Sequence, residues 1–67
     1  MECIAIFIGE NGSCGFEKNK EYKLVMTMEG EMIYIKHYKM KASKVTGELK
    51  CVYSGLKKFL DNWEVIR

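Results

Sequence analysis

The chain has 67 residues and a formal net charge of +2, from eleven basic and nine acidic side chains. That makes it one domain, residues 1–67, with too mild a charge to imply nucleic acid by itself. Hydrophobic residues at 48% and charged residues at 30% exclude a disordered chain, and no apolar run nears the ~20 residues of a membrane span. A domain this small buries only about 60% of its unfolded surface, so one compact core is expected and a deep catalytic cleft is not.

Proline is absent, so turns must draw on the six glycines and on Asn, Asp and Ser. The opening MECIAIFI has an acidic second residue and no basic stretch ahead of its apolar run, and reads as a strand rather than a signal peptide. Residues 3–8 form a continuous apolar segment suited to a strand buried on both faces, or nearly so. Residues 9–13 are a turn cluster. Residues 15–22 are a polar connector with Phe16 and Tyr22 near its ends, and Asn19 within it suits a tight turn because Asn tolerates positive φ.

Residues 22–28 alternate, with Tyr22, Leu24, Met26 and Met28 on one face and Lys23, Val25 and Thr27 on the other, the period of a half-buried strand. Glu29, Gly30 and Glu31 make a hairpin turn. Residues 32–40 return, with Ile33, Ile35 and His37 on one face and Met32, Tyr34, Lys36, Tyr38 and Met40 on the other. Met26, Met28, Met32 and Met40 are expected mainly to fill core gaps. With Val25, Ile33 and Ile35 set opposite them, the sheet reads as apolar on both sides. Residues 41–48 are a lysine-rich excursion and residues 49–53 a fourth strand. Beyond it, Leu56, Phe59, Leu60 and Trp63 fall at helical spacing, with Ser54 as a plausible N-cap and Asn62 suited to a left-handed helix end. That face is expected to plug the open end of the sheet. Residues 64–66 then close with a strand.

This order, with a short helix before the last strand, looks like an SH3-like small β-barrel. The connector from Gly15 and Phe16 through Asn19 to Tyr22 resembles the GF-x-x-G-x-x-Y stretch of many small barrel proteins, with Asn19 where glycine is commoner. The tail from Tyr53, Ser54, Gly55 and Leu56 through Phe59 and Leu60 to Asn62, Trp63 and Glu64 resembles a recurring YSS-L-x-x-F-L-x-N-W-E ending, with Gly55 in place of the second serine. Both stretches resemble short uncharacterised accessory proteins of phages and prophages of Gram-positive bacteria, and together they cover about a third of the chain. The resemblance implies a phage-encoded protein in the cytoplasm of an infected or lysogenic host. It supplies no catalytic residues and no cofactor.

Few residues offer chemistry. There is no phosphate-binding glycine loop and no HExxH. The odd count of three cysteines, without a CxxC, suggests reduced thiols and a cytosolic setting. A zinc set of Cys3, Cys14, Cys51 and His37 lacks the closely spaced ligand pairs of structural sites, so packed thiols are expected. Cys14 and Cys51 are the candidate nucleophiles, but nothing in the sequence shows an activated thiolate. His37 is expected to be solvated among lysines.

The basic stretch Lys36, His37, Lys39, Lys41 and Lys44 is interleaved with Tyr34 and Tyr38. Tyrosines that stack bases beside lysines that hold phosphates would serve a single-strand-binding barrel. Tyrosine equally suits a protein interface, where it brings area and a hydroxyl at low entropy cost. A solvated outer face that blunts aggregation is the simplest alternative. The sequence thus points to an all-β, SH3-like barrel of about five antiparallel strands acting as a non-catalytic interaction module. Its partner is expected to be a host protein, with nucleic acid as the alternative and a strand-edge homodimer left open. The expected contact residues are Tyr34, Lys36, Tyr38, Lys39, Lys41 and Lys44.

Overall fold

The computed structural model describes residues 1–67. Strands β1 (Glu2–Phe7), β2 (Glu21–Glu29), β3 (Met32–Lys41), β4 (Lys44–Ser54) and β5 (Trp63–Val65) form one sheet in the order β4-β3-β2-β1-β5. Every neighbouring pair is antiparallel. Helix α1 (Leu56–Asn62) precedes β5, as expected. The barrel, however, is not closed. β4 and β5 lie at opposite edges with no ladder between them, and α1 and a 3-10 turn (Ser13–Gly15) pack against β4 instead. The three residues of β5 pair with β1 alone.

One face of the sheet carries the core: Ala5, Phe7, Phe16, Tyr22, Leu24, Met26, Ile33, Ile35, Phe59 and Trp63. Its centre is aromatic. Trp63 stands 4.8 Å from Phe16 and 5.0 Å from Phe7, ring centre to ring centre, and Tyr22 meets Phe16 edge-on at 5.0 Å. Such tilted and edge-to-face pairs contribute about 0.5–1.5 kcal/mol each beyond the area they bury. Trp63 Nε1–H donates to Tyr53 Oη at 3.0 Å, so the buried indole keeps its one polar bond. Both chain ends are tied in: Ile66 N–H donates to Ile4 O, and Met26 N–H donates to Met1 O.

Several expectations are corrected by register. The β2–β3 turn has two residues, so Met26 pairs with Ile35 and Met28 with Ile33. Directly paired residues share a face. Ile33 and Ile35 therefore join Leu24 and Met26 in the core, and Val25 is left on the other side with Lys36. The sheet is apolar on one face and mixed on the other. Of the four hairpin methionines only Met26 is buried, while Met28 and Met40 are more than half exposed.

The helical face is core at only half of its positions. Phe59 and Trp63 are buried, but Leu56 and Leu60 are about half exposed. The seven-residue helix buries only Phe59, and Trp63 reaches the core from the first position of β5. The caps differ as well. Gly55, not Ser54, is the N-cap, with φ 102° and ψ 159° and no side-chain bond. That backbone region is essentially closed to side-chain-bearing residues, which gives glycine rather than serine a reason at this position. Asn62 is the last helical residue, and its Nδ2–H donates back to Lys58 O at 2.8 Å.

Residues 41–48 are not an excursion. Lys41 pairs with Lys44 across a two-residue turn, Ala42 and Ser43, both at positive φ (51° and 66°). Two successive positive φ values mark the type I′ hairpin turn, which usually announces itself as Asn-Gly. β3 pairs with β2 only between residues 32 and 36, so the far half of the β3–β4 hairpin projects beyond the sheet as a two-stranded arm. A bulge at its base makes Thr46 the extra residue, because Lys39 faces Gly47 and Met40 faces Val45.

Candidate interaction surface

The face away from the core is laid out by the same register. Tyr34 stands between Thr27 of β2 and Val52 of β4, and Lys36 between Val25 and Lys50. These side chains line an open groove of about 670 Å³. Tyr34 is 42% exposed and Val52 47%, so an aromatic ring and a branched aliphatic side chain sit side by side in water. Tyr38 continues the row, opposite Glu48.

Electrostatics organise the margin of this groove. Lys36 and Lys50 face each other as like charges, which is unfavourable for a directly opposed pair. Glu48 lies between them and bridges both, at 3.2 Å to Lys50 Nζ and 3.9 Å to Lys36 Nζ. Lys36 Nζ also lies 5.8 Å from the centre of the Tyr38 ring, in cation–π range. All of these groups are exposed enough for water and salt to screen them, so they add little to stability and remain free to exchange partners.

The expected contact residues divide into three groups. Tyr34, Lys36 and Tyr38 share the outer face. Lys39 instead lines a separate, polar depression with Tyr22, His37, Lys20, Glu17 and Leu49. Lys41 and Lys44 flank the turn at the tip of the arm. Sequence reasoning missed Thr27, Glu48, Lys50 and Val52 as companions of Tyr34 and Lys36. Their alternation was visible, but strand pairing cannot be read before the turn lengths are known.

His37 is not simply solvated. It is half-buried, meets the Tyr22 ring edge-on at 5.0 Å, and its Nδ1–H donates to Lys23 O at 3.0 Å. The reduced-thiol expectation is also corrected. Cys14 and Cys51 are joined as a disulfide with Cα atoms 5.8 Å apart, tying the 3-10 turn to β4. Thirty-seven positions separate them in sequence, so no spacing motif announces the pair. Gly15, at φ 86°, lets the turn settle against Leu49: a Cβ there would stand 2.8 Å from the leucine side chain. Cys3 is the remaining thiol. Burial pushes its pKa up, away from activation, and its Sγ–H contacts Met26 Sδ at 3.5 Å. Of the formal zinc set, Cys14 and Cys51 are bonded to each other, and no group of three or more His, Cys, Asp or Glu side chains is placed to hold a metal ion. No helix is long and apolar enough to cross a membrane.

Comparison with protein-family models, with curated proteins and with solved structures gives no match.

Proposed function

We propose that the chain is a non-catalytic protein-interaction module whose contact surface is the outer face of β2, β3 and β4, centred on Tyr34 and Tyr38. The observation that carries this reading is the exposed groove floored by Tyr34, Val25 and Val52 and edged by the Lys36–Glu48–Lys50 cluster. Protein interfaces combine an aromatic and aliphatic centre with a polar rim in this way. Following the resemblance of its connector and tail, the module is a phage-encoded accessory protein that binds and modulates a protein of its bacterial host, a defence or replication factor. In a reducing host cytoplasm the Cys14–Cys51 pair would stand as two thiols, and packing of Gly15 and Phe16 would hold the turn in place.

The test compares the wild-type chain with the double variant Tyr34→Ala/Tyr38→Ala as baits in host lysate, with and without nuclease. A stoichiometric protein captured by the wild type after nuclease treatment and lost from the double variant supports the reading. Equal capture by a correctly folded double variant overturns the placement on this face.

A second reading is favoured by the charge of the hairpin. Residues 36–50 hold five lysines and one glutamate, a net charge of +4, while the rest of the chain holds six basic and eight acidic residues, a net charge of −2. A projecting two-stranded ribbon with that charge has the shape and sign to enter a nucleic-acid groove. Capture that collapses with nuclease, and affinity that falls steeply as salt rises, would select this reading over the first.

A further inference from the structure

The outward edge of β4 is an unpaired sheet edge of unusual length. None of the backbone hydrogen bonds made outside the ladders and α1 involves a residue of β4. Every second backbone N–H and C=O along its eleven residues therefore faces away from β3 without a protein partner. Such an edge is a template for another strand unless something blunts it. The opposite edge, β5, offers only three residues. At the arm, the Thr46 bulge breaks the regular edge. The portion that remains regular is residues 47–54, of which residues 47–51 carry the oppositely charged pair Glu48 and Lys50.

We infer that this segment is the seat of a symmetric homodimer, β4 against the antiparallel β4 of a second copy, with the twofold axis through Leu49. Two facts select the register. Neighbouring residues on a strand turn their backbone groups to opposite sides, so a twofold normal to the sheet must pass through a residue and not between two. Among the residues available, only an axis at Leu49 sets Glu48 opposite the partner's Lys50, and Lys50 opposite the partner's Glu48. An axis at Glu48 or at Lys50 would oppose two like charges directly, and one at Gly47 or Cys51 would leave Lys50 without an acidic partner.

The remaining pairs fit the same register. Leu49 meets the partner's Leu49. Gly47 faces the partner's Cys51, and the space above Gly47 is nearly empty, since a Cβ placed there would find only Lys39 Cδ, at 3.8 Å. That leaves room for the disulfide-linked turn over Cys51. The pairing provides roughly four to six inter-chain backbone hydrogen bonds. It yields one continuous ten-stranded sheet, twice the five strands of each copy, with both Tyr34 side chains on the same side. It requires no contact with the host protein proposed above.

The experiment is sedimentation equilibrium of the full chain over a wide concentration range, with Glu48→Lys, Lys50→Glu and the double exchange Glu48→Lys/Lys50→Glu. A wild-type dimer is expected. Each single reversal replaces two attractive pairs by two repulsive ones and should weaken dimerisation by about tenfold or more. The double exchange recreates opposite charges across the axis and should recover most of that loss. Circular dichroism checks that each variant is folded. On the wild type itself, slower amide hydrogen exchange across residues 47–51 at high protein concentration is expected. A monomer at every concentration overturns the inference. So does a dimer indifferent to both single reversals, or one that the double exchange fails to recover.

Discussion

The aromatic core beneath β1, β5 and α1 and the hairpin arm beyond residue 37 are opposite solutions within one chain. In the first, Phe7, Phe16, Phe59 and Trp63 are all but inaccessible and each touches at least one other ring of the set. In the second, residues 38–46 are all exposed, and Met40 and Val45 stand 58% and 59% open to solvent. The difference separates what holds the domain together from what it can present. Only ten residues are buried, so nearly all packing energy is concentrated in the first region. The arm is held by its own ladder and by the Thr46 Oγ1–H bond to Lys39 O, without buried side chains, and its sequence is free to serve a partner.

The largest effect is expected from breaking the core. Trp63→Ala removes the ring at the centre of the aromatic set and the donor to Tyr53, and should cost about 3–5 kcal/mol, enough to unfold much of the population. Val45→Thr in the arm should change stability by no more than about 0.5 kcal/mol. Urea unfolding of both variants measures the contrast, and comparable losses would erase the distinction between the regions.

Next is the Cys14–Cys51 link, which joins the loop over the core to the strand that bears the arm. Closing a loop of this length corresponds to about 4 kcal/mol of unfolded-state entropy, an upper figure because the reduced chain retains some structure. Reduction, or Cys14→Ser/Cys51→Ser, should lower the urea midpoint without moving the aromatic near-ultraviolet signal. Loss of that signal would show that the link helps to form the core rather than merely to fasten it.

A smaller effect of opposite sign is expected at the arm's tip. Ala42→Asn/Ser43→Gly supplies residues suited to two successive positive φ values, and should raise stability by roughly 0.5–1 kcal/mol. A loss of stability in thermal unfolding would mean that the turn conformation is not the one described.

The smallest effect is a pH dependence rooted in the core's margin. Burial raises the pKa of Cys3 above its ordinary 9.0. Burial likewise raises Tyr53 above 10.0, partly offset by the bond from Trp63. The folded state therefore holds these protons more tightly than the unfolded chain. Their contribution is fully present below about pH 9 and declines as pH rises through the folded values. Urea midpoints should fall in that alkaline range, and Cys3→Ala should remove the earlier part of the decline. A midpoint that rises with pH there would contradict the burial of both groups.

The elements were legible in the residue pattern wherever it repeats over several positions. Alternation in residues 22–28 and 32–40 marked two strands, because burial on one face imposes a period that composition preserves, and the spacing of Leu56, Phe59 and Leu60 marked the helix, whose expected fourth member, Trp63, begins β5 instead. Gly30 and Asn19 announced their turns through the positive φ they accept. The rest depends on which strand lies beside which. The two-residue turn moved Ile33 and Ile35 into the core and left Val25 outside, since a shift of one residue reverses a strand's faces. The Ala42-Ser43 turn carried no composition signal and turned an expected loop into an arm. The meeting of Cys14 with Cys51, and of Tyr34 with Val52, arises from pairing between distant segments, for which a single chain of letters holds no period to read.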